Sequence, residues 1–385
     1  MGSVCSAGRL VKLAAAACIT SSVSGCSLLG HTSPSVAGPA ASARAKHQAQ
    51  SVPVVARPWH TGMPQLGIDV YWTGNGHDSG ALIRAKAERI IAFAISLGAN
   101  SISLTFPFFT YGVSSDTIYA NKITTPNPRN IGIFLSVAAA SHIRVTLRPI
   151  LNEDALVAQN SNAWRGSIEP ADPSAWFASY RDFLLPYARV AESGHAATLV
   201  IGTELNSLEG DPSWPALIRA ISSVYHGQLV YDENFDSFEN HDSNLPLPTF
   251  GVDAYPRFQL SDSASVSELA QAWEGWLSNH STAVLHKTVL SEVGIAAVAG
   301  AYGDPGAWLG TTNSPIVTKV QANWYSAVCR AFSAEKLAGI YWWEVSFDAD
   351  PANPVDFLGD RLTFLGRPAQ HVISACFASI TAGDG

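Results

Sequence analysis

The sequence predicts an α/β fold in which eight parallel strands, most followed by a helix, close into a (β/α)8 TIM barrel. Three observations predict it. Apolar strand-like runs alternate with segments of helical period from Leu66 to about Phe377 without a lapse. The runs are continuous and β-branched, as strands covered on both faces must be. Two of them, Ala197-Thr198-Leu199-Val200-Ile201-Gly202-Thr203-Glu204 and Lys287-Thr288-Val289-Leu290-Ser291-Glu292-Val293-Gly294, carry a glutamate at the C-terminal end, where barrels place their chemistry.

In chain order, residues 67–72 read as strand one and 82–97 as its helix. Residues 100–106 form strand two, followed by a long aromatic loop and a helix over 131–141. Strand three is 143–149, then a long loop and a helix over 175–192. Strand four ends at Glu204, with a helix near 214–225. Strand five is 228–231, followed by a polar loop with no helical period. Strand six is 250–255, with a helix over 266–278. Strand seven carries Glu292, and its helix runs over 317–334. Strand eight is 338–343, and 368–379 is a last helix. This regular alternation favours a closed barrel over a doubly wound sheet.

The barrel domain spans 66–380. Residues 1–25 read as a lipoprotein signal peptide: Arg9 and Lys12 form a basic region, residues 13–20 are apolar, and Val23-Ser24-Gly25-Cys26 resembles a lipobox. Lipid attachment at Cys26 is the reading taken, with plain secretion as the alternative. Residues 26–65 hold much Ser, Ala, Pro, His and Gln and read as a flexible tether. The protein is therefore expected to be exported and to face outward from the cell membrane, touching it only through its N-terminal lipid. Cys329 and Cys376 fall in helices near the C-terminus. An exported chain permits a disulfide between them, and two buried thiols are equally compatible with the sequence.

Apolar residues make up 47% of the 385 and charged residues 14%, enough for a large core. The formal charge of −8 becomes −10 once Arg9 and Lys12 leave with the leader, since residues 1–25 contain no acid. An acidic chain without basic runs excludes nucleic acid as partner but not a neutral polymer. There is no dinucleotide fingerprint, P-loop, Gly-x-Ser-x-Gly elbow or zinc spacing, so no metal or organic cofactor is expected.

Two strand-end carboxylates suit glycosidic bond cleavage with retention. One must be protonated for the leaving oxygen; the other must be ionised to attack the anomeric carbon, about 5–5.5 Å away from the first. The ends of strands four and seven face each other across a barrel mouth, so Glu204 and Glu292 can converge although 88 positions apart (292 − 204). The blander reading has each glutamate capping a helix or pairing with an arginine, and two at matching strand ends outweigh it.

Further runs support this: Arg148-Pro149 at strand three, Trp164-Arg165-Gly166-Ser167-Ile168 in its loop, Gly251-Val252-Asp253-Ala254-Tyr255 at strand six and Tyr341-Trp342-Trp343 at strand eight. With the two glutamate strands, their order resembles a clan A retaining glycoside hydrolase, most closely family 113, the β-1,4-mannanases, over residues 66–377. The resemblance implies Glu204 as general acid/base and Glu292 as nucleophile. Most of the clan carries Asn before the acid/base; Thr203 stands there in this chain, and family 113 also lacks that Asn-Glu pair.

A replacement donor for the sugar 2-hydroxyl is sought in Asn234 first and Asn206 second. Tyr255 should hydrogen-bond the nucleophile. Strand alternation turns only one of Trp342 and Trp343 inward, and Trp343 is chosen as the floor under the cleaved sugar. Trp164, Arg165 and Trp72 are candidates to line the cleft. Asp69, inside strand one, needs a partner, and Arg148 is assigned to it as scaffolding that also shapes the cleft. Glu153, Asp232, Glu233, Glu344 and Asp348 are left as helix caps or salt-bridge partners.

The function expected is retaining hydrolysis of β-1,4-mannan or a related β-linked polysaccharide or oligosaccharide by a monomer. Alternatives are the same mechanism on another β-glycan, transglycosylation, or glycan binding without turnover.

Overall fold

The computed structural model describes residues 56–74, 76–240, 245–248, 250–307, 315–357 and 359–383. The signal peptide, Cys26 and the tether up to residue 55 lie outside the described residues. Nine strands form one sheet: β1 (Gln65–Tyr71), β2 (Ser101–Thr110), β3 (Ile118–Tyr119), β4 (Arg144–Leu151), β5 (Thr198–Thr203), β6 (Gln228–Asn234), β7 (Phe250–Asp253), β8 (Val289–Val293) and β9 (Gly339–Ser346). The order is β1-β9-β8-β7-β6-β5-β4-β2-β3, and a further β1–β2 pairing closes the barrel. Pairing around the ring is parallel, while β3 adds an antiparallel step to the outer end of β2. This is the (β/α)8 TIM barrel expected.

The helices are α1 (Gly80–Ser96), α2 (Pro128–Ala140), α3 (Asp154–Gln159), α4 (Pro173–Ser193), α5 (Trp214–Ser222), α6 (Phe235–Asn240), α7 (Val266–Leu277), α8 (Thr282–Leu285), α9 (Thr318–Glu335) and α10 (Pro368–Gly383). Their starts are written locally. Asn127 caps α2 and Asp172 caps α4 by accepting backbone N–H bonds, each with proline in the first turn, where its missing donor costs nothing. Ser265 and Glu268 form a reciprocal capping box on α7. The sequence shows no helix after strand five, yet α6 is there. At six residues it is too short to display a period, and it begins on turns in which Asn234 and Asp236 accept N–H bonds.

Strand alternation sorts two interiors. Ile68, Val70, Ile102, Leu104, Leu147, Leu199, Leu290, Ile340 and Trp342, each at most 1% exposed, face outward into the helical shell. The inward positions are more polar. Ser103, Thr146, Thr198, Ser291 and Tyr341 line a cavity of about 240 Å³ that runs from Trp59 up to Arg148 and Asp232. Apolar layers are the usual filling of such barrels. Here hydroxyl groups replace part of them and provide partners for buried cations.

Residues 56–64, read from the sequence as the end of the tether, pack on the barrel. The Ala56 N–H donates to the Ser141 carbonyl (2.8 Å), and the Trp59 ring lies 5.2 Å from the Arg144 guanidinium. Cys329 of α9 and Cys376 of α10 are joined in a disulfide, with Cα atoms 5.9 Å apart, which decides between the two readings left open. Among the described residues, no helix is long and apolar enough to cross a membrane.

Candidate active site

Arg148, on β4, is fully buried beneath the mouth of the barrel. Its Nε donates to Asp232 of β6 (2.8 Å) and its Nη1 to Glu292 Oε2 of β8 (2.6 Å). Its Nη2 donates to Asp253 of β7. Burial alone would weaken the guanidinium's hold on its proton; Asp253, Glu292 and Asp232 outweigh it and push the pKa far above its ordinary value. Taking such an ion out of water costs several kcal/mol unless its donors are matched, and here carboxylates meet it on each of its three sides. A side chain on Gly251 would lie 2.1 Å from Asp232 Oδ1 and 1.9 Å from Ser291 Oγ, so glycine makes room for this network.

The assignment of Arg148 to Asp69 needs correction. Each of its hydrogen bonds goes to the three carboxylates above, whereas Asp69 accepts a long 3.4 Å bond from Thr105 and a bond from the Ser103 hydroxyl. Burial pushes the Asp69 carboxyl up to about 8; Arg148 opposes this and the Glu292 charge reinforces it. Asp69 is therefore a largely neutral acid beneath the site rather than one half of an ion pair.

Glu292 is held at both oxygens. Oε2 takes the bond from Arg148, and Oε1 accepts from the Tyr255 hydroxyl. Burial and the neighbouring Glu292 drive the phenol well above its ordinary pKa, so it stays a donor. Two donors, one of them charged, fix the orientation of the Glu292 carboxyl.

Glu204 follows β5 in a left-handed conformation (φ 52°), its N–H bonded to the Asp232 carbonyl at 2.8 Å. A non-glycine residue held there is uncommon, and such positions gather at functional sites. Its Oε1 accepts from Asn234 Nδ2 (2.7 Å) and its Oε2 from Arg165 Nη1 (2.5 Å). Burial raises the Glu204 pKa, Arg165 pulls it down, and the Glu292 charge raises it again. The two glutamates thus share one electrostatic site with different surroundings: Glu292 with a buried cation and a phenol, Glu204 with an amide and a cation nearer the surface.

A family model for Glycoside Hydrolase Family 113 matches residues 72–354, well over half of the chain. The chain belongs to glycoside hydrolase family 113. A GH113 beta-1,4-mannanase complex superposes with a TM-score of 0.67 at 16% identity, covering 82% of this chain and 99% of that one. The GH113 beta-mannanase AaManA from Alicyclobacillus acidocaldarius, in complex with ManMIm, gives 0.64 at 19% identity, covering 83% and 98%. At these identities the likeness shows a common barrel. Among curated proteins none matches.

In this family 113 glycoside hydrolase the remaining candidates separate clearly. Trp343 lies beside Gly294, where an added Cβ would stand 3.0 Å from Trp343 Cβ and 3.2 Å from the Tyr255 hydroxyl, so it adjoins the Glu292 side of the site. Trp342 points outward onto Tyr325 of α9, with ring centroids 4.6 Å apart. Trp72 is packed away, stacked at 4.1 Å on Phe347 and 3% exposed, so it offers no face to a ligand. Its neighbour Tyr71 takes the inward position, 5.4 Å from Trp343. Trp164 is half-buried and folds its ring over Gly166, where a Cβ would come within 2.3 Å of it. Arg165 is anchored by the Leu151 carbonyl (3.1 Å) and paired with Glu153 (3.3 Å) besides Glu204. Asn206 turns its amide to Asp236 and Ser237, away from the carboxylates.

Sequence reasoning missed Asp232 and Asp253 as partners of Arg148, because an acid near a strand end looks the same whether it caps a helix or neutralises a buried cation. The signal was present in Arg148 itself: a cation in the middle of an inward-facing strand position demands acids from several other strands. Glu344 was left as a helix cap or salt-bridge partner. It is instead buried with Oε2 unpartnered, its pKa driven well up by burial and by Asp360 and Glu292. Asp348 does pair, with Lys86 at 2.6 Å. Among the described residues, no group of three His, Cys, Asp or Glu could hold a metal ion.

Proposed function

We propose that this glycoside hydrolase cleaves β-1,4-mannan or a related mannose-containing β-glycan with retention, with Glu292 as nucleophile and Glu204 as acid/base. The observation that carries this reading is the contrast between the two carboxyls. Glu292 is fixed at both oxygens, by the buried Arg148 cation and the Tyr255 hydroxyl, as an oriented nucleophile would be. Glu204 is buried beside the Glu292 charge, and both raise its pKa. In the first step a Glu292 oxygen bonds to the anomeric carbon while the Glu204 proton passes to the departing glycosidic oxygen. Forming the ester removes the charge of Glu292, and with it one cause of the raised Glu204 pKa. Arg165 then favours the carboxylate, ready to take a proton from the incoming water. Asn234, sought as the 2-hydroxyl donor, is positioned to orient Glu204, and Trp343 with Tyr71 would floor the sugar site.

Mannose as the sugar is supported by the family and by the beta-mannanases that share the barrel. Export and attachment through Cys26 are supported by the leader sequence, and the Cys329–Cys376 disulfide fits an oxidising compartment. The test is turnover of a β-glycan panel by the native chain, by Glu204→Gln and by Glu292→Gln, with product anomers followed by NMR. β-Anomer released from mannan, and slowed roughly 10²- to 10⁴-fold or more in both variants, is expected. First release of α-anomer, or full activity in either variant, would sink the mechanism.

A further inference from the structure

Beyond the mouth, β2 and β3 form a short hairpin that carries an aromatic ladder. Phe109 and Tyr119 stack at 5.6 Å between centroids, and Tyr111 stacks on Tyr119 at 4.6 Å with 22° between planes. Tyr111 is 63% exposed. A side chain left in water usually belongs to a loose loop, but this hairpin is clamped. Gln159 of α3 donates to the Tyr111 carbonyl (2.9 Å) and accepts from the Val113 N–H (3.3 Å). Ser179 of α4 accepts from the Ile118 N–H (2.8 Å). The loop that carries Arg165 is tied to it by Glu169 N–H to the Val113 carbonyl (2.8 Å).

The hairpin is also continuous with the site. Phe108 pairs with Leu151, whose carbonyl accepts from Arg165, and Arg165 in turn holds Glu204. Tyr111 lies three residues past Phe108, roughly 10 Å further along at strand spacing. Exposed aromatic rings held rigid at the rim of a cleft are amphipathic surfaces on which little entropy is lost when a ligand is bound. The acidic balance of the chain disfavours a polyanionic occupant, whereas an uncharged sugar chain leaving the cleft is compatible with it.

We infer that Tyr111, stacked on Tyr119, forms a remote subsite that binds a sugar ring of a β-linked glycan several residues from the bond being cut. The inference rests on the proposed glycanase reading and deepens it, and it concerns substrate length rather than bond cleavage. Its test compares kcat/KM of the full chain and of Tyr111→Ala on mannotriose and mannohexaose, with Tyr111→Phe as the conservative control. The expected result is a roughly 2- to 10-fold loss on the hexasaccharide, none on the trisaccharide, recovery in Tyr111→Phe and an unchanged thermal midpoint. Equal losses at both lengths, or no loss at either, would overturn it.

If another β-glycan is cleaved instead, its own tri- and hexasaccharides replace the mannosides and the same outcomes apply. If nothing is cleaved, the proposed function fails while the subsite is still decided by calorimetry with mannohexaose. Binding weakened by Tyr111→Ala would sustain it, and absent or unaltered binding would overturn it.

Discussion

Arg144 and Arg148 project from the same face of β4, four residues apart, and their surroundings have almost nothing in common. At the floor of the barrel, Arg144 donates to Thr146 (3.0 Å), Thr198 (2.6 Å) and Tyr341 (3.2 Å), with the Trp59 ring covering it. Its acceptors are neutral. At the mouth, Arg148 meets Asp232, Asp253 and Glu292. Hydroxyls and an aromatic face stabilise a cation near the surface without requiring a counter-ion. A cation wholly withdrawn from water requires charged partners, and those partners are then perturbed by it and by one another. The floor is built to close a barrel; the mouth gathers buried acids around one cation, and burial raises Asp232, Asp253 and Glu204 against its pull.

The comparison breaks most readily at Arg148. Arg148→Met leaves three buried acids without their cation, and urea unfolding should show a loss of about 3–5 kcal/mol together with collapse of activity at neutral pH. A stable, active Arg148→Met would mean that the network is incidental. Next in size is Tyr255→Phe, which removes one donor from Glu292. A hydrogen bond to a charged group contributes about 1.5–3 kcal/mol, so kcat/KM should fall roughly 10- to 100-fold with little change in the unfolding midpoint.

Asp69 sharpens the contrast through pH. Its folded pKa, about 8, lies above the ordinary carboxyl value of 3.8, so the folded state holds the proton more tightly. Its contribution to stability is complete below about pH 4 and is lost as pH rises toward 8, with a limiting slope of about 1.4 kcal/mol per pH unit. Unfolding free energies measured across that window should flatten in Asp69→Asn; an unchanged slope would assign the effect elsewhere. Arg165→Gln acts on Glu204, the proposed acid/base, and also unpairs Glu153. Arg165 favours the ionised Glu204, so its removal should move the alkaline limb of the rate profile to higher pH, and a limb that stays or moves down contradicts the assignment. Arg144→Met should be mildest, about 1 kcal/mol of stability with kcat unchanged, because water entering the floor cavity can replace it for the hydroxyls.

Much of the fold was legible along the chain. Buried parallel strands have no polar face to interrupt them, so β5 and β8 stand out as unbroken apolar runs, and their terminal glutamates stand out against them. Helix starts were read two to three residues late, at 131 and 175 rather than Pro128 and Pro173, because the apolar period begins only after the turn that Asn127 and Asp172 cap. The hairpin at β3 and the single turns of α6 and α8 were not, because two to six residues cannot establish a period. Trp72 misled because an aromatic at a strand end looks the same whether it faces the cleft or the shell. Alternation decides it only once the register of β1 against β2 and β9 is known.

From the sequence alone came the barrel and the two strand-end glutamates, which follow from unbroken apolar runs along one chain; alternation required only that one of Trp342 and Trp343 turn inward. Pairing across the chain was decided only in three dimensions: Arg148 to Asp232, Asp253 and Glu292 rather than Asp69, Asn234 to Glu204, and Cys329 to Cys376. The physical reason is that a strand's period dictates which side a residue faces. The charge it meets there depends on strands that arrive from far away in sequence and on how much water closure of the barrel leaves behind.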